Sequence, residues 1–262
     1  MNQLWEKIFY AYRNIGSRYF LIALAAFLIF YVLFRKQLAY KKIQHKFPKN
    51  HDYFREIGYS VITMFIFSAV IVLLNWPGIY EHTTRYEHIS DRGWVYYFAL
   101  FPVMFFMHDL YFYVSHRIMH NKRIFKYVHL VHHHSTNPSP WAAYAFHPLE
   151  AVVEVGITVI FYFTIPIHIS HLLIFFLFSI IYNIYGHLGY ELYPHGFNTT
   201  MIGKWINTST NHNQHHQYFK GNYGLYTLIW DRIFGTIRSD YDARFEDATT
   251  RRQHLTQEAP VI

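Results

Sequence analysis

The side chains able to do chemistry in this chain are histidines, and they come in groups. Between Asp109 and Ser135, in DLYFYVSHRIMHNKRIFKYVHLVHHHS, His116 and His120 lie four apart, and His129, His132 and His133 form an H-x-x-H-H run. The same run returns as His212, His215 and His216 in NHNQHH. Residues three and four apart share a helical face, so each box can aim its imidazoles at one point, which is how metal ligands are spaced. One such pair would be weak evidence. Three boxes, two of them with the same pattern, read as a site that gathers imidazoles from several segments. Neutral imidazole binds iron, zinc and copper alike, so spacing leaves the metal open. The chain has no cysteine, which excludes thiolate zinc sites, iron–sulfur sites and disulfides.

The other histidines divide by position. His187 follows an apolar run, and an ionisable group at the end of a membrane segment is a functional candidate. His147 opens HPLE, with Glu150 about one helical turn further on, and is read either as a ligand or as a hydrogen-bonding neighbour of one. His134 extends the second box but points off its ligand face, which places it beside the ligands. Asp109 and Glu150 are expected to orient ligand imidazoles by accepting the distal N–H. His45, His51, His82, His88, His168, His171, His195 and His254 have no partner at ligand spacing and are expected to be solvated.

The elements that must position these boxes are membrane helices. The chain is 52% hydrophobic, 21% aromatic and only 15% charged, too apolar for an ordinary soluble domain of 262 residues. Met1 to Arg18 is an aromatic and basic lead, expected to lie at the membrane interface as an amphipathic helix. Tyr19 to Phe34, YFLIALAAFLIFYVLF, reads as a retained anchor and not as a cleaved signal. Further apolar runs follow at Gly58 to Trp76, Trp94 to Met107, Ala151 to Ile167 and His171 to Tyr185. The last two are short, so a hairpin that dips without fully crossing is an alternative to two spans.

Counting these spans puts residues 35–57, 108–150 and 189–262 on one side. Those segments carry the excess of Lys and Arg, so the boxes are expected on the cytoplasmic face. The formal charge of +7 is then explained by a membrane surface, and no nucleic-acid motif or partner is indicated. The expected fold class is all-α: an integral membrane protein with four or five transmembrane or re-entrant helices and a cytosolic helical cap holding the histidine-rich site. Beyond Arg238 the polar tail is expected to be loosely ordered.

The order HRIMH, HLVHHHS, AFHPLE, GHLGYE, NHNQHH, GNYG and WDRIFGT resembles the fatty acid hydroxylase and sterol desaturase superfamily, membrane non-haem di-iron oxygenases, over roughly His108 to Arg238. SPWAAYAFHP and NYGLYTLIWDRIFGT look closest to the sterol C5-desaturase branch, and C4-methyl sterol oxidases share much of the pattern. The resemblance implies that His116, His120, His129, His132, His133, His187, His212, His215 and His216 hold two iron ions. Fatty acid 2-hydroxylases of the superfamily have a further histidine before the last box. Here Asn183 stands four residues before His187, which leaves His147 or a water as the implied tenth ligand.

The division this implies is 1–93 for amino-terminal membrane helices, 94–240 for a catalytic unit like the fatty acid hydroxylases, and 241–262 for the tail. O2 is the implied co-substrate and a fatty acyl or sterol-like lipid the implied substrate, within a bilayer of membrane lipids. Electrons would come from an external donor such as cytochrome b5, ferredoxin or a reductase. The location would be a bacterial inner membrane or the endoplasmic reticulum. Hydrogen abstraction followed by hydroxyl rebound gives an alcohol, and a second abstraction gives an alkene; the expectation is hydroxylation, with desaturation as the other outcome. Zinc is a chemically competent substitute in purified protein, although it cannot store oxidising equivalents.

Tyr111, Tyr113, Trp141, Tyr144 and Phe146 either line a lipid slot or pack the core. In WDRIFGT the expectation is a helix end stopped by Gly235, and KGNYG is expected to be the turn that fixes where His215 and His216 point. Two other classes remain. A zinc-dependent membrane hydrolase would want an open site with a carboxylate base, as in H-E-x-x-H, and no such motif occurs. A metal or haem carrier would spread its histidines along the membrane path, whereas these sit in polar segments.

Overall fold

Apolar runs in lipid must satisfy every backbone N–H and C=O internally, and a helix does so within one segment. The computed structural model describes residues 2–257, which form no β-strand. Their longer helices are α1 Asn2–Phe27, α2 Asn50–Leu74, α3 Gly93–Met119, α4 Pro148–Thr164, α5 Ile169–Gly186, α6 Ser209–Tyr218 and α7 Tyr241–Gln257. Four segments are long and apolar enough to cross a membrane: Gln3–Leu33, Asn50–Leu74, Gly93–Met119 and Ile169–Gly186. The 17 residues of α4 rise only about 26 Å, short of a bilayer core of about 30 Å, so α4 and α5 form the short hairpin of the bundle.

The second span turns most of its polar side chains inward and apolar ones outward. Helix α2 buries Glu56, Ser60, Thr63 and Ser68 while Val61, Ile62, Phe65 and Leu73 face outward. That reversal of the soluble pattern is what a lipid surround selects, since the few polar side chains then need partners within the bundle. Tyr19 Oη meets Ser60 Oγ at 2.8 Å and donates to Trp141 O at 2.6 Å, which ties α1, α2 and the Pro140–Tyr144 turn together. A second core joins α3, α4 and α5 through Leu100, Met104, Phe112, Ile157, Phe161 and Phe175.

One end of the bundle carries the boxes. Tyr31, past the end of α1, donates to Leu188 O at 2.9 Å, just beyond α5 and His187. At the opposite end the Lys7 ammonium lies 5.3 Å from the Trp76 ring, pairing the start of α1 with the end of α2. Helix α3 returns from that far end and finishes among His116 and His120.

Three expectations change, and one element is defined. The lead is not a separate interfacial helix: α1 runs unbroken from Asn2 and continues as a wider π turn, Leu28–Leu33, because no proline or unfavourable turn interrupts it. Helix α2 begins at Asn50, drawing Asp52, Arg55 and Glu56 into the helix. The second box, whose helix the sequence left unbounded, lies on two short turns, Phe125–Val128 and Leu130–His133. The tail is not loose up to Gln257: α7 buries Tyr241, Phe245 and Ala248, an i, i+4, i+7 stripe within a polar segment, and the Tyr241 hydroxyl meets Thr208 Oγ1 at 3.2 Å.

Because Phe245 is fully buried, Phe245→Ala is expected to destabilise the box end by about 3–5 kcal/mol, read as a lowered unfolding midpoint in detergent. An unchanged midpoint would show that α7 is not packed there.

Candidate metal centre

Nine imidazoles converge in two adjacent nests. His116, His120, His129, His133 and His215 form one, and His132, His187, His212 and His216 the other; within each, the candidate ligand atoms all lie within 4.8 Å of one another. The H-x-x-H-H runs explain the division. In the second box His129 and His133, four apart, face the first nest while His132 turns to the second. In the third box the assignment reverses: His212 and His216 face the second nest and His215 reaches back to the first. Neighbouring residues on a helix diverge by about 100°, so each H-H pair straddles the two nests.

The hydrogen bonds fix which ring nitrogen is free. His116 Nδ1–H donates to Tyr223 O at 2.9 Å, His187 to Asn183 O at 2.8 Å and His215 to Gly221 O at 2.7 Å, and carbonyl oxygens can only accept. His129 Nδ1 lies 2.6 Å from the Glu150 carboxylate. A neutral imidazole has one N–H, so these four rings turn bare Nε2 lone pairs inward.

Those Nε2 atoms crowd each other. His116 and His129 approach to 3.0 Å, His120 and His215 to 3.1 Å, and His187 lies 3.1 Å from both His212 and His216. Facing lone pairs repel unless a cation sits between them, so the donor set fits metal ions. Burial keeps the rings uncharged: it pushes His187 down to about 4 and His120 down to about 2, and it lowers His129, His132, His133, His212, His215 and His216 well below the ordinary histidine value.

Carboxylates position the frame. Glu191 caps α6, accepting from Thr210 N at 3.0 Å and Thr210 Oγ1 at 2.7 Å, and also from the Tyr185 hydroxyl at 3.0 Å. Asp231, in WDRIFGT, accepts from Tyr223 N at 2.9 Å and Gly224 N at 2.7 Å. It therefore clamps the GNYG turn whose Gly221 and Tyr223 carbonyls hold His215 and His116. Gly221 has φ +80°, and a Cβ there would lie 2.7 Å from Thr236 O, so the turn requires glycine. Sequence reasoning took WDRIFGT as a helix end and missed this clamp. An acid residue just after a glycine-rich turn is the signal that could have found it. It missed Glu191 as well.

The remaining candidates lie elsewhere. Glu150 Oε1 lies 2.6 Å from His129 Nδ1. Asp109 does not touch an imidazole: it accepts from Tyr226 N at 2.9 Å, Thr227 N at 3.2 Å and Trp230 Nε1 at 3.0 Å, binding α3 to that loop. His147 caps α4, its Nδ1 accepting from Leu149 N at 3.2 Å. The Asn183 amide donates to Ala143 O at 2.8 Å. His134 is exposed. None of these joins a nest, and among the described residues the second has no fifth His, Asp or Glu donor. His171, expected to be solvated, is buried, with Nδ1 accepting from His168 N at 3.1 Å and Nε2 donating to Tyr97 O at 2.9 Å. Both ring nitrogens thus have backbone partners. The side chain of His254 lies outside the described residues.

Comparisons with known proteins place the matched region over these boxes. The sequence profile described as "Fatty acid hydroxylase" matches residues 101–236. A Delta(7)-sterol 5(6)-desaturase of Gibberella zeae is 30% identical over 226 residues, covering 84% of this chain and 65% of the relative. The lathosterol oxidase of Mus musculus is 29% identical over 228 residues, covering 86% of this chain and 73% of the relative, and that of Homo sapiens 28% over 229 residues with the same coverage. The chain thus spans between 65% and 73% of the length of these relatives. No solved structure matches it.

Glu150→Ala removes the acceptor from His129 Nδ1. Loss of such a partner typically weakens metal binding about 10- to 100-fold, and a competition titration with a chelator is expected to show that drop while helix content is kept. Unchanged affinity would remove Glu150 from the site.

Proposed function

The chain belongs to the fatty acid hydroxylase family, and on that premise we propose that it is an O2-dependent oxidoreductase of a membrane lipid, acting on a sterol-like substrate. The observation that carries this reading is the pair of all-imidazole nests, because removing hydrogen from an unactivated C–H bond requires redox metals. Two irons bound by the nine histidines would supply that capacity with O2. The names of the relatives favour desaturation as the outcome, and hydroxylation shares its first step. For desaturation the balance is one CH–CH unit, one O2, two electrons and two protons giving one C=C and two waters.

The chain's own residues prepare the site. Glu150 and the Gly221, Tyr223 and Asn183 carbonyls hold Nδ1 protons, so Nε2 stays available without a proton to displace. Glu191 and Asp231 keep the third box and its turn in register. The second nest, with four imidazoles against five, leaves more room for an exogenous donor.

The two electrons need a carrier. Lys122, Arg123 and Lys126, between the first two boxes, and Lys220, after the third, are exposed and supply positive charge in the segments that carry the histidines. An acidic carrier such as cytochrome b5, a ferredoxin or a reductase domain complements it. We place this end in the cytoplasm, at a bacterial inner membrane or the endoplasmic reticulum, because the segments joining the helices there hold the Lys and Arg excess. We place the catalytic unit at residues 94–240. A zinc hydrolase fits less well, since Glu150, the carboxylate against the nests, is bonded to His129 and is not free to act as a base.

The test is iron-loaded protein in nanodiscs with O2, a two-electron donor and lathosterol. The expected product is lighter by about two mass units, dependent on O2 and lost in His132→Ala/His133→Ala. An iron-replete, reducible protein that leaves sterols unchanged would overturn the substrate class.

A further inference from the structure

A cavity of about 890 Å³ lies between α1, α2 and the α4–α5 hairpin, within the range of about 300–1,000 Å³ that holds one ligand of drug size. It is long: α1 lines it from Gln3 to Arg18, about 22 Å of helical rise. Its walls are mostly apolar, with Ile15, Phe67, Val155, Leu172 and Ile180 among them. Gln3, Glu6, Lys7 and Asn75 stand at the end away from the boxes. Glu154, Tyr144 and Arg18 stand at the box end.

Glu154 is the unexplained group. It lies one helical turn after Glu150 on the same face, lines the cavity half-buried, and makes no hydrogen bond or ion pair with the described residues, in a wall whose other residues are mostly apolar or aromatic. A carboxyl group in such a wall is costly without a partner, so its presence points to one supplied by the occupant. The box end is also the end nearest the metal centre. Tyr144 lines the cavity, its ring lies 6.1 Å from that of Phe146, and the Phe146 ring lies 5.1 Å from that of His132.

We propose that Glu154 is the recognition group for the hydroxyl of an elongated lipid held in this cavity, polar end toward the histidine nests and apolar tail toward Gln3 and Asn75. The inference rests on the lipid oxidation proposed above and deepens it. The carbon that is oxidised then lies within a few bonds of the hydroxyl and not along the tail. The lipid hydroxyl donates to a Glu154 oxygen, and Thr158, one turn further along the same wall, is the neighbouring polar side chain. Arg18 is the cation at this end, and an anionic headgroup would use it in place of Glu154.

The experiment is photolabelling of full-length protein in nanodiscs with a 3-hydroxysterol bearing a diazirine in its side chain, followed by peptide mapping and metal analysis of each variant. The expected labels fall on α1 near Gln3 to Tyr10 and on the start of α5. Labelling should drop at least tenfold in Glu154→Leu, hold within about threefold in Glu154→Gln, whose amide oxygen still accepts, and be weak with the 3-deoxy probe. Metal content should be unchanged in both variants.

Equal labelling of Glu154→Leu, equal labelling by the 3-deoxy probe, or tail labels near Tyr144 would overturn the proposal. So would a fatty acid diazirine that labels the cavity in dependence on Arg18 and not on Glu154. Sterol oxidation without cavity labelling would sink this inference and keep the proposed function, while cavity labelling without oxidation would do the reverse.

Discussion

The whole box end depends on keeping nine closely packed imidazoles uncharged, four of them with an Nε2 lone pair fixed inward. Eight of the nine rings are buried and His120 is half-buried, which opposes the protonated form, and each is pressed against others that would repel it if charged. A set of Nε2 atoms about 3 Å apart is unfavourable in an empty protein and favourable around a cation. Most of the polar structure nearby can be understood as holding this arrangement: carbonyls that take the Nδ1 protons, a carboxylate that takes one more, and acid groups that fix the backbone supplying those carbonyls.

The membrane helices answer the same need from the other direction. Only helices satisfy their own backbone in lipid, so the chain can place polar groups inside the bundle where they bind one another, as Tyr19 binds Ser60 and Trp141. Helix α3 then delivers His116 and His120 to the nests, and α5 ends at His187. The second box lies on two short turns and the third on α6, and in both the adjacent histidines diverge by about 100° and so face different nests. One adjacent pair in each of the two H-x-x-H-H runs is divided between nests.

Much of this was legible in the sequence. Spacing alone singled out His116, His120, His129, His132, His133, His212, His215 and His216, since imidazoles at three and four residues cannot easily be a packing pattern, and His187 stood out at the end of an apolar run. Glu150 was legible through its place in HPLE. Asp109 was misread because an acid beside a histidine box looks like an imidazole partner, whereas its carboxylate is committed to backbone N–H groups more than a hundred residues away. Asp231 and Glu191 act through backbone that only the fold brings near. The stripe of Tyr241, Phe245 and Ala248 was hidden by the polar residues around it, and His171 by the absence of any sequence signal for a distant carbonyl.

The most direct test of the central claim is metal analysis with Mössbauer spectroscopy on protein expressed with iron-57, comparing wild type with His133→Ala and His132→Ala. The account predicts about two irons per chain, spin-coupled in the wild type, with the coupling lost in both variants because each perturbs a different nest. A single mononuclear iron, or tightly held zinc with no iron under iron-replete expression, would contradict it.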